Sequence, residues 1–329
     1  MRSLIIGGLR ERWSSTDSSA PWRYTNGIEA FAHALQGDYW GWTAPPADVI
    51  AKYDLVISNL NGHFLSQLLQ LAKKRASHVR WVALIEGDAR DYLNPSEDLL
   101  RLFDAVDLIA AINEWSVPIL AELTSTPVAW VGIPYPVDYV RNLAVAVDCR
   151  EPVCLVCPAQ LKLPSYVVAK ATGLRIRTYA KKSSRNFRNL PLFFRHRRFS
   201  VDLFKQYWQV RLPDAEIRLE VSLEEFWRTE ARSQIWVNLD DRYTWGRYVL
   251  DAAALGVPCI TTRNTAHGPY LFPETCVEDV FSTEQAVSMA SRLVSDAKFY
   301  QHVVDFAQSR LNRYSAEACV ERLKSALGL

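Results

Sequence analysis

A repeated change of hydrophobic period constrains this chain more than any other feature. Apolar runs at residues 3–6, 54–58, 79–85, 108–112 and 128–131 read as strands. Between them, residues 28–35, 64–75, 97–103 and 117–123 read as helices; the second of these carries Leu65, Leu68, Leu69, Leu71 and Ala72. A run that is apolar at every position predicts a strand buried on both faces. Strands of that kind, alternating with helices, build a parallel sheet with helices on both sides.

The rhythm stops at Gly132-Ile133-Pro134-Tyr135-Pro136-Val137-Asp138. Two prolines one residue apart favour a stiff, extended connection. The rhythm then resumes, with strands expected at 153–157, 175–179, 217–221, 235–238 and 258–262. Helices are expected at 166–171, 223–231 and 248–255, and from 282 to the end. One core stops growing near about 250–300 residues, so a chain of 329 is expected to form two domains. The expected fold is α/β, with two Rossmann-like doubly wound domains facing a cleft. Residues 1–138 would form the first and 153–312 the second, joined by a linker at 139–152. A last helix at 313–329 would cross back to the first. Ligands of such sheets lie beyond the carboxyl ends of the strands.

Composition removes several classes. A net charge of +2 excludes a general polycation, so charge arguments must be local. Six cysteines are too few for a disulfide scaffold at this length, and reduced thiols in a cytoplasmic protein are expected. Cys154 and Cys157 form a C-x-x-C inside the apolar run Val153-Cys154-Leu155-Val156-Cys157, which reads as a buried strand. No second pair at zinc spacing accompanies it, so no metal site is expected. The apolar stretch after Met1 is too short for a signal peptide, and no run of about 18 apolar residues exists to span a membrane.

The segment from Tyr243 to Pro258, YTWGRYVLDAAALGVP, carries the clearest chemistry. A glycine before a helix allows close backbone approach to a ligand. The helix start then offers free N–H groups and a positive dipole to a diphosphate. A carboxylate one to two turns in, at Asp251, can accept hydrogen bonds from ribose hydroxyls. Small residues Ala252–Ala254 let the helix lie close on a sheet.

This segment resembles the donor motif of family-4-like GT-B glycosyltransferases, roughly E-G-F-G-x-x-x-x-E-A-x-A-x-G-x-P. Trp245-Gly246 matches the aromatic–glycine pair, Asp251-Ala252 the Glu-Ala pair, and Gly256-x-Pro258 the closing Gly-x-Pro. Residues 104–113, 131–138 and 221–238 resemble other family segments in the right order. The resemblance implies a transferase that moves a sugar from a nucleotide-diphosphate sugar, UDP- or GDP-linked, to an acceptor hydroxyl. It implies a donor held by the C-terminal half, an acceptor against the N-terminal half, and no cofactor or metal. The family's first Glu falls on Tyr243 here and its second is shortened to Asp251. Sugar contact then passes to Tyr243, Asp240 or Asp241, and ribose contact to Asp251. Lys162 and Arg247 are the basic candidates for the diphosphate, with Gly8 of the Gly7-Gly8 pair and His267 beside it. In Glu86-Gly87-Asp88, at a strand end, Glu86 stands about where many family members have His. A carboxylate of Glu86 or Asp88 could be a general base on an acceptor hydroxyl, which suits inversion; retention would need none.

Residues 175–211 hold eleven Lys and Arg against one acid, Asp202, with eight interleaved aromatics. A basic insertion at about 180–212 of this composition fits an anionic membrane surface or a nucleic acid. Its arginines Arg185, Arg188, Arg195, Arg197 and Arg198, with Arg10 and Arg12 of the first long loop, are the expected acceptor or anionic-surface contacts. Two further readings stand beside the small-acceptor transferase: a DNA- or RNA-modifying glycosyltransferase, and a non-catalytic GT-B-like binding protein. A sugar epimerase of this fold is a third.

Overall fold

Each long apolar run becomes a parallel strand. The computed structural model describes residues 1–8, 12–14, 27–41, 43–60, 64–92, 94–158, 162–180 and 208–329. It divides into two compact units. The first comprises Met1–Tyr139, Arg242–Arg247 and Arg310–Leu329; the second comprises Val140–Asp241 and Tyr248–Ser309.

The first unit is built on seven strands: β1 (Ser3–Gly7), β2 (Arg12–Trp13), β3 (Asp38–Gly41), β4 (Leu55–Asn59), β5 (Arg80–Ile85), β6 (Leu108–Ala111) and β7 (Val128–Trp130). Their order is β2-β3-β1-β4-β5-β6-β7. All pair in parallel except β2, which is antiparallel to β3. β1 and β4 are buried along their whole length, as two-sided cover requires. Helices α1 (Glu29–Ala34), α2 (Ala47–Ile50), α3 (Leu65–Lys73), α4 (Glu97–Phe103), α5 (Val117–Ala121) and α6 (Val137–Arg141) make the connections. In α3 the buried residues Leu68, Leu69 and Ala72 form one stripe, packed in a core around Trp81, Phe103 and Leu102. Ser96 caps α4 by accepting the Leu99 N–H.

The second unit has six strands: β8 (Glu151–Val156), β9 (Arg175–Ala180), β10 (Ala215–Leu219), β11 (Ser233–Asn238), β12 (Cys259–Thr262) and β13 (Cys276–Val277). They run in parallel in the order β10-β9-β8-β11-β12-β13. Counted from β8 this is 3-2-1-4-5-6, the doubly wound order of dinucleotide-binding sheets. The helices are α7 (Lys162–Ala171), α8 (Leu223–Glu230), α9 (Arg247–Ala254), α10 (Gly268–Leu271), α11 (Thr283–Ser295) and α12 (Ala297–Arg310).

A final helix, α13 (Ala316–Leu327), belongs to the first unit and is capped by Ser315, which accepts the Ala318 N–H. Arg322 on α13 donates twice to the Val131 carbonyl, at 3.1 and 2.9 Å. Its guanidinium and that of Arg313 each lie within 4.2 Å of the centre of the Trp130 ring.

The structure departs from the sequence reading in places. The Pro-rich stretch runs straight into α6, and a 3-10 turn follows at Val147–Cys149. Strands β2, β3 and β13 were not expected. Cys154 lies in β8 and Cys157 just beyond it, both buried free thiols. Burial pushes the Cys154 thiol up to about 12. Among the described residues no helix is long and apolar enough to cross a membrane, and no group of three His, Cys, Asp or Glu is placed to hold a metal.

Candidate functional site

A doubly wound sheet exposes its strand ends where the chain reverses direction across it, because the crossovers there leave toward opposite sides. In the first unit this point lies between β1 and β4. Gly7 ends β1 against Tyr39: a side chain at Gly7 would meet the Tyr39 hydroxyl at 2.4 Å. Gly8, by contrast, is exposed and has open space around it. The glycine that the fold needs is therefore Gly7, whereas nothing in the described fold crowds Gly8.

Glu86 follows β5 at the same end of the sheet. Its carboxylate accepts from the Asn59 amide at 2.7 Å. It also packs on Gly27, where a side-chain carbon would lie 2.4 Å from Glu86 Oε1 and 3.1 Å from Glu29 Oε2. Two carboxylates thus crowd one point. Glu29 is buried and accepts from the Tyr39 hydroxyl at 3.2 Å. Burial first, and the Glu29 charge second, push the Glu86 carboxyl up to about 8, against a smaller lowering by the Ile28 amide. At neutral pH Glu86 is then chiefly a neutral acid that can donate a hydrogen bond. It becomes a base only as pH passes 8.

Asp88 has a different environment. Burial raises its carboxyl, but hydrogen bonds from Arg90 and from the Tyr243 amide outweigh this and hold it below the usual range. Tyr243 also belongs to the first unit. Its ring lies 5.7 Å from the Arg90 guanidinium and edge-on to Trp115 at 5.7 Å. Asp88 and Tyr243, separate in the sequence reading, are one cluster. Trp245 and Gly246 next to them are buried, and Gly246 has a φ of 78°, the left-handed turn that leads into α9.

In the second unit the reversal lies between β8 and β11. Lys162 opens α7 just beyond β8 and is only 5% exposed, with its ammonium 5.4 Å from the Trp208 ring centre. One turn later Ser165 accepts the Leu239 N–H at 2.9 Å, which ties α7 to the end of β11. Asn238 and Asp240 are buried there. The Asn238 side-chain oxygen has no hydrogen-bond partner among the described residues. The Thr262 hydroxyl at the end of β12 donates to the Asp240 carbonyl at 2.6 Å. Asp251 on α9 is fully buried; after burial and Cys259, its charge raises the Cys157 thiol further above its ordinary value, and Lys162 opposes this. His267 is 2% exposed, beyond β12. Asp241 and Arg247 are half-buried.

The sequence-predicted residues therefore fall into two groups. Gly8, Glu86, Asp88, Tyr243, Trp245, Gly246 and Arg247 belong to the first unit; Lys162, Asp241, Asp251 and His267 belong to the second. Arg12 lies in β2, while Arg10, Arg185, Arg188, Arg195, Arg197 and Arg198 lie outside the described residues. Glu29, Asn59 and Asn238 were missed. Each is a lone polar residue inside or ending an apolar element, and that oddity was the available signal. One member of the basic segment is corrected: Arg177 is buried, bonding Glu216 at 3.0 Å and Glu230 at 3.3 Å, and does not face an external polyanion, whereas Arg175 is exposed and pairs with Glu151 at 2.8 Å.

No family model matches the sequence, and no curated protein is similar to it in sequence. Solved structures do match in shape. A trehalose 6-phosphate synthase from Burkholderia multivorans superposes with a TM-score of 0.68 at 10% identity, over 99% of this chain and 96% of that one. An alpha-glucosyltransferase solved with UDP-glucose and DNA superposes with a TM-score of 0.62 at 14% identity, over the whole of both chains. S. aureus TarM, solved with UDP and an alpha-GlcNAc-glycerol, gives 0.60 at 9% identity over 84% of this chain and 55% of that one. With the two strand orders above, these likenesses show that the chain has the GT-B glycosyltransferase fold.

The raised Glu86 carboxyl carries a pH signature. The folded state keeps a proton that the unfolded chain releases near 4.5, so stability falls as pH rises from about 4.5 to about 8 and then levels off. Glu86→Gln removes this loss. By calorimetry the variant is expected to melt at least about 5 °C above the parent at pH 8.5 and close to it at pH 5. An equal offset at both pH values would contradict the assignment.

Proposed function

We propose that the chain is a glycosyltransferase that takes its sugar from a nucleotide-diphosphate sugar held by the second unit. The observation that carries this reading is the group of buried polar side chains around the carboxyl ends of β8, β11 and β12, where doubly wound sheets take their ligands: Lys162, Asn238, Asp240, Asp251 and His267. Lys162 supplies a cation for the diphosphate, and the start of α9 supplies amides and a positive dipole end. Asp251 supplies a carboxylate acceptor for ribose. UDP in the complexes of the alpha-glucosyltransferase and TarM neighbours supports a uridine nucleotide as the first one to try. The acceptor hydroxyl would meet the first unit, where neutral Glu86 orients it by hydrogen bonding, and above pH 8 the carboxylate takes its proton.

The test is a thermal-shift panel of UDP, GDP, ADP and TDP with their sugars. At a hundredfold excess over Kd one nucleotide is expected to raise Tm by about 5 °C or more. Asp251→Asn should lose more than half of that rise. No response to any nucleotide, or an unchanged response in the variant, would contradict the donor site.

A nucleic-acid acceptor is favoured by one observation. Without Arg175 and Arg177, residues 178–211 still hold nine basic residues against Asp202, and alpha-glucosyltransferase neighbours were solved with DNA. Duplex DNA should then bind with a slope of log affinity against log salt steeper than about −3, since each phosphate neutralised contributes about −0.9. A flat slope, or no binding, would remove this acceptor.

A further inference from the structure

The stretch that carries the donor motif changes unit for a few residues. Val140–Asp241 and Tyr248–Ser309 belong to the second unit, but Arg242–Arg247, between them, belongs to the first. An excursion of this kind needs anchors. Trp245 is one, since it is buried. Tyr243 is 41% exposed, so burial alone does not hold it.

Its main anchor is the turn after β5. Gly87 has a φ of 109°, which L side chains rarely adopt, and it turns the chain there. The Tyr92 hydroxyl donates to the Glu86 carbonyl at 2.6 Å and closes the turn. Within it, Asp88 accepts the Arg90 main-chain N–H at 3.1 Å and the Arg90 Nε–H at 3.0 Å on both carboxylate oxygens. Asp88 also accepts the N–H of Tyr243, a residue far away in sequence. The Arg90 guanidinium, fixed in this way, lies 5.7 Å from the centre of the Tyr243 ring, and Trp115 meets that ring edge-on. A carboxylate offers about four acceptor sites, and these donors occupy them. Asp88 is thus built to hold its neighbours, not to take a proton from a substrate.

We propose that Asp88 and Arg90 are positioning residues for the nucleotide: they clamp Tyr243 and so fix the Gly246 turn that aims the first amides of α9. Neither needs to touch the ligand. Only Thr244 and Trp245 separate Tyr243 from Gly246, whose φ of 78° leads into the helix. Helix-start amides hold a diphosphate best when their direction is set before it arrives, since ordering them on binding costs affinity. What α9 holds rests on the transferase reading; the clamp itself does not.

The test uses the full chain and three variants. Hydrogen exchange of the ligand-free protein reads the clamp. Asp88→Ala is expected to speed exchange at residues 243–247 at least about tenfold and to leave residues 82–85 of β5 unchanged. Titration calorimetry with UDP reads the consequence. Asp88→Ala should weaken UDP at least about tenfold, while Asp88→Asn, which keeps an acceptor oxygen for the Tyr243 amide, should weaken it less than about threefold. Arg90→Gln releases the Tyr243 ring and leaves the carboxylate in place. It should weaken UDP about three- to fivefold, and it decides the matter if Asp88→Ala does not fold. Exchange at 243–247 like the parent's in the folded variants would overturn the proposal. So would unchanged UDP affinity, or equal losses in Asp88→Ala and Asp88→Asn. A parent that binds no UDP counts against the transferase reading, and the exchange measurement still decides the clamp.

Discussion

Parallel pairing is the constraint on which the rest depends. A parallel strand cannot return through a tight turn, so every pair needs a crossover, and the crossovers bury both faces of the sheet. All the described strands but β2 obey this. The consequence is that the strand faces must be apolar and the polar chemistry is driven to the strand ends. It concentrates where the chain reverses across the sheet, since helices leave that point on both sides without covering it. Glu86 and Asn59 in the first unit, and Lys162, Asn238 and Asp240 in the second, stand at such ends.

The two reversals use their polar residues differently. The first crowds two carboxyls, Glu29 and Glu86, against a glycine and thereby favours a neutral acid. The second combines a buried lysine with buried carboxylates and the Asn238 amide oxygen, which has no hydrogen-bond partner among the described residues. A sheet end rich in neutral hydrogen-bonding groups suits hydroxyls, and one holding a buried cation beside a helix start suits phosphate. This division of labour is what the GT-B fold, with a sheet in each half, makes available to a chain without a metal cluster among its described residues.

Much of this architecture was legible. The long uniform runs at β1, β4, β5, β8 and β11 could only be two-sided strands, and the glycine-led start of α9 stood out. β3 was not legible, because Asp38-Tyr39-Trp40-Gly41 is short and mixed in character, and β13 is only two residues long. Side-chain burial was harder still. Arg177 read as part of a basic face because its partners, Glu216 and Glu230, are distant in sequence. Glu29 was hidden because a single acid at a helix start is ordinarily a solvated dipole partner; only the fold brings it to Glu86.

The central claim is that a nucleotide diphosphate occupies the reversal point of the second sheet. Hydrogen exchange of the full chain with and without UDP tests it most directly. The account predicts slowed exchange at the first amides of α9, residues 247–250, and at residues 238–241 and 162–165, with β12 and α11 unchanged. UDP binding that leaves those three segments unprotected would contradict it.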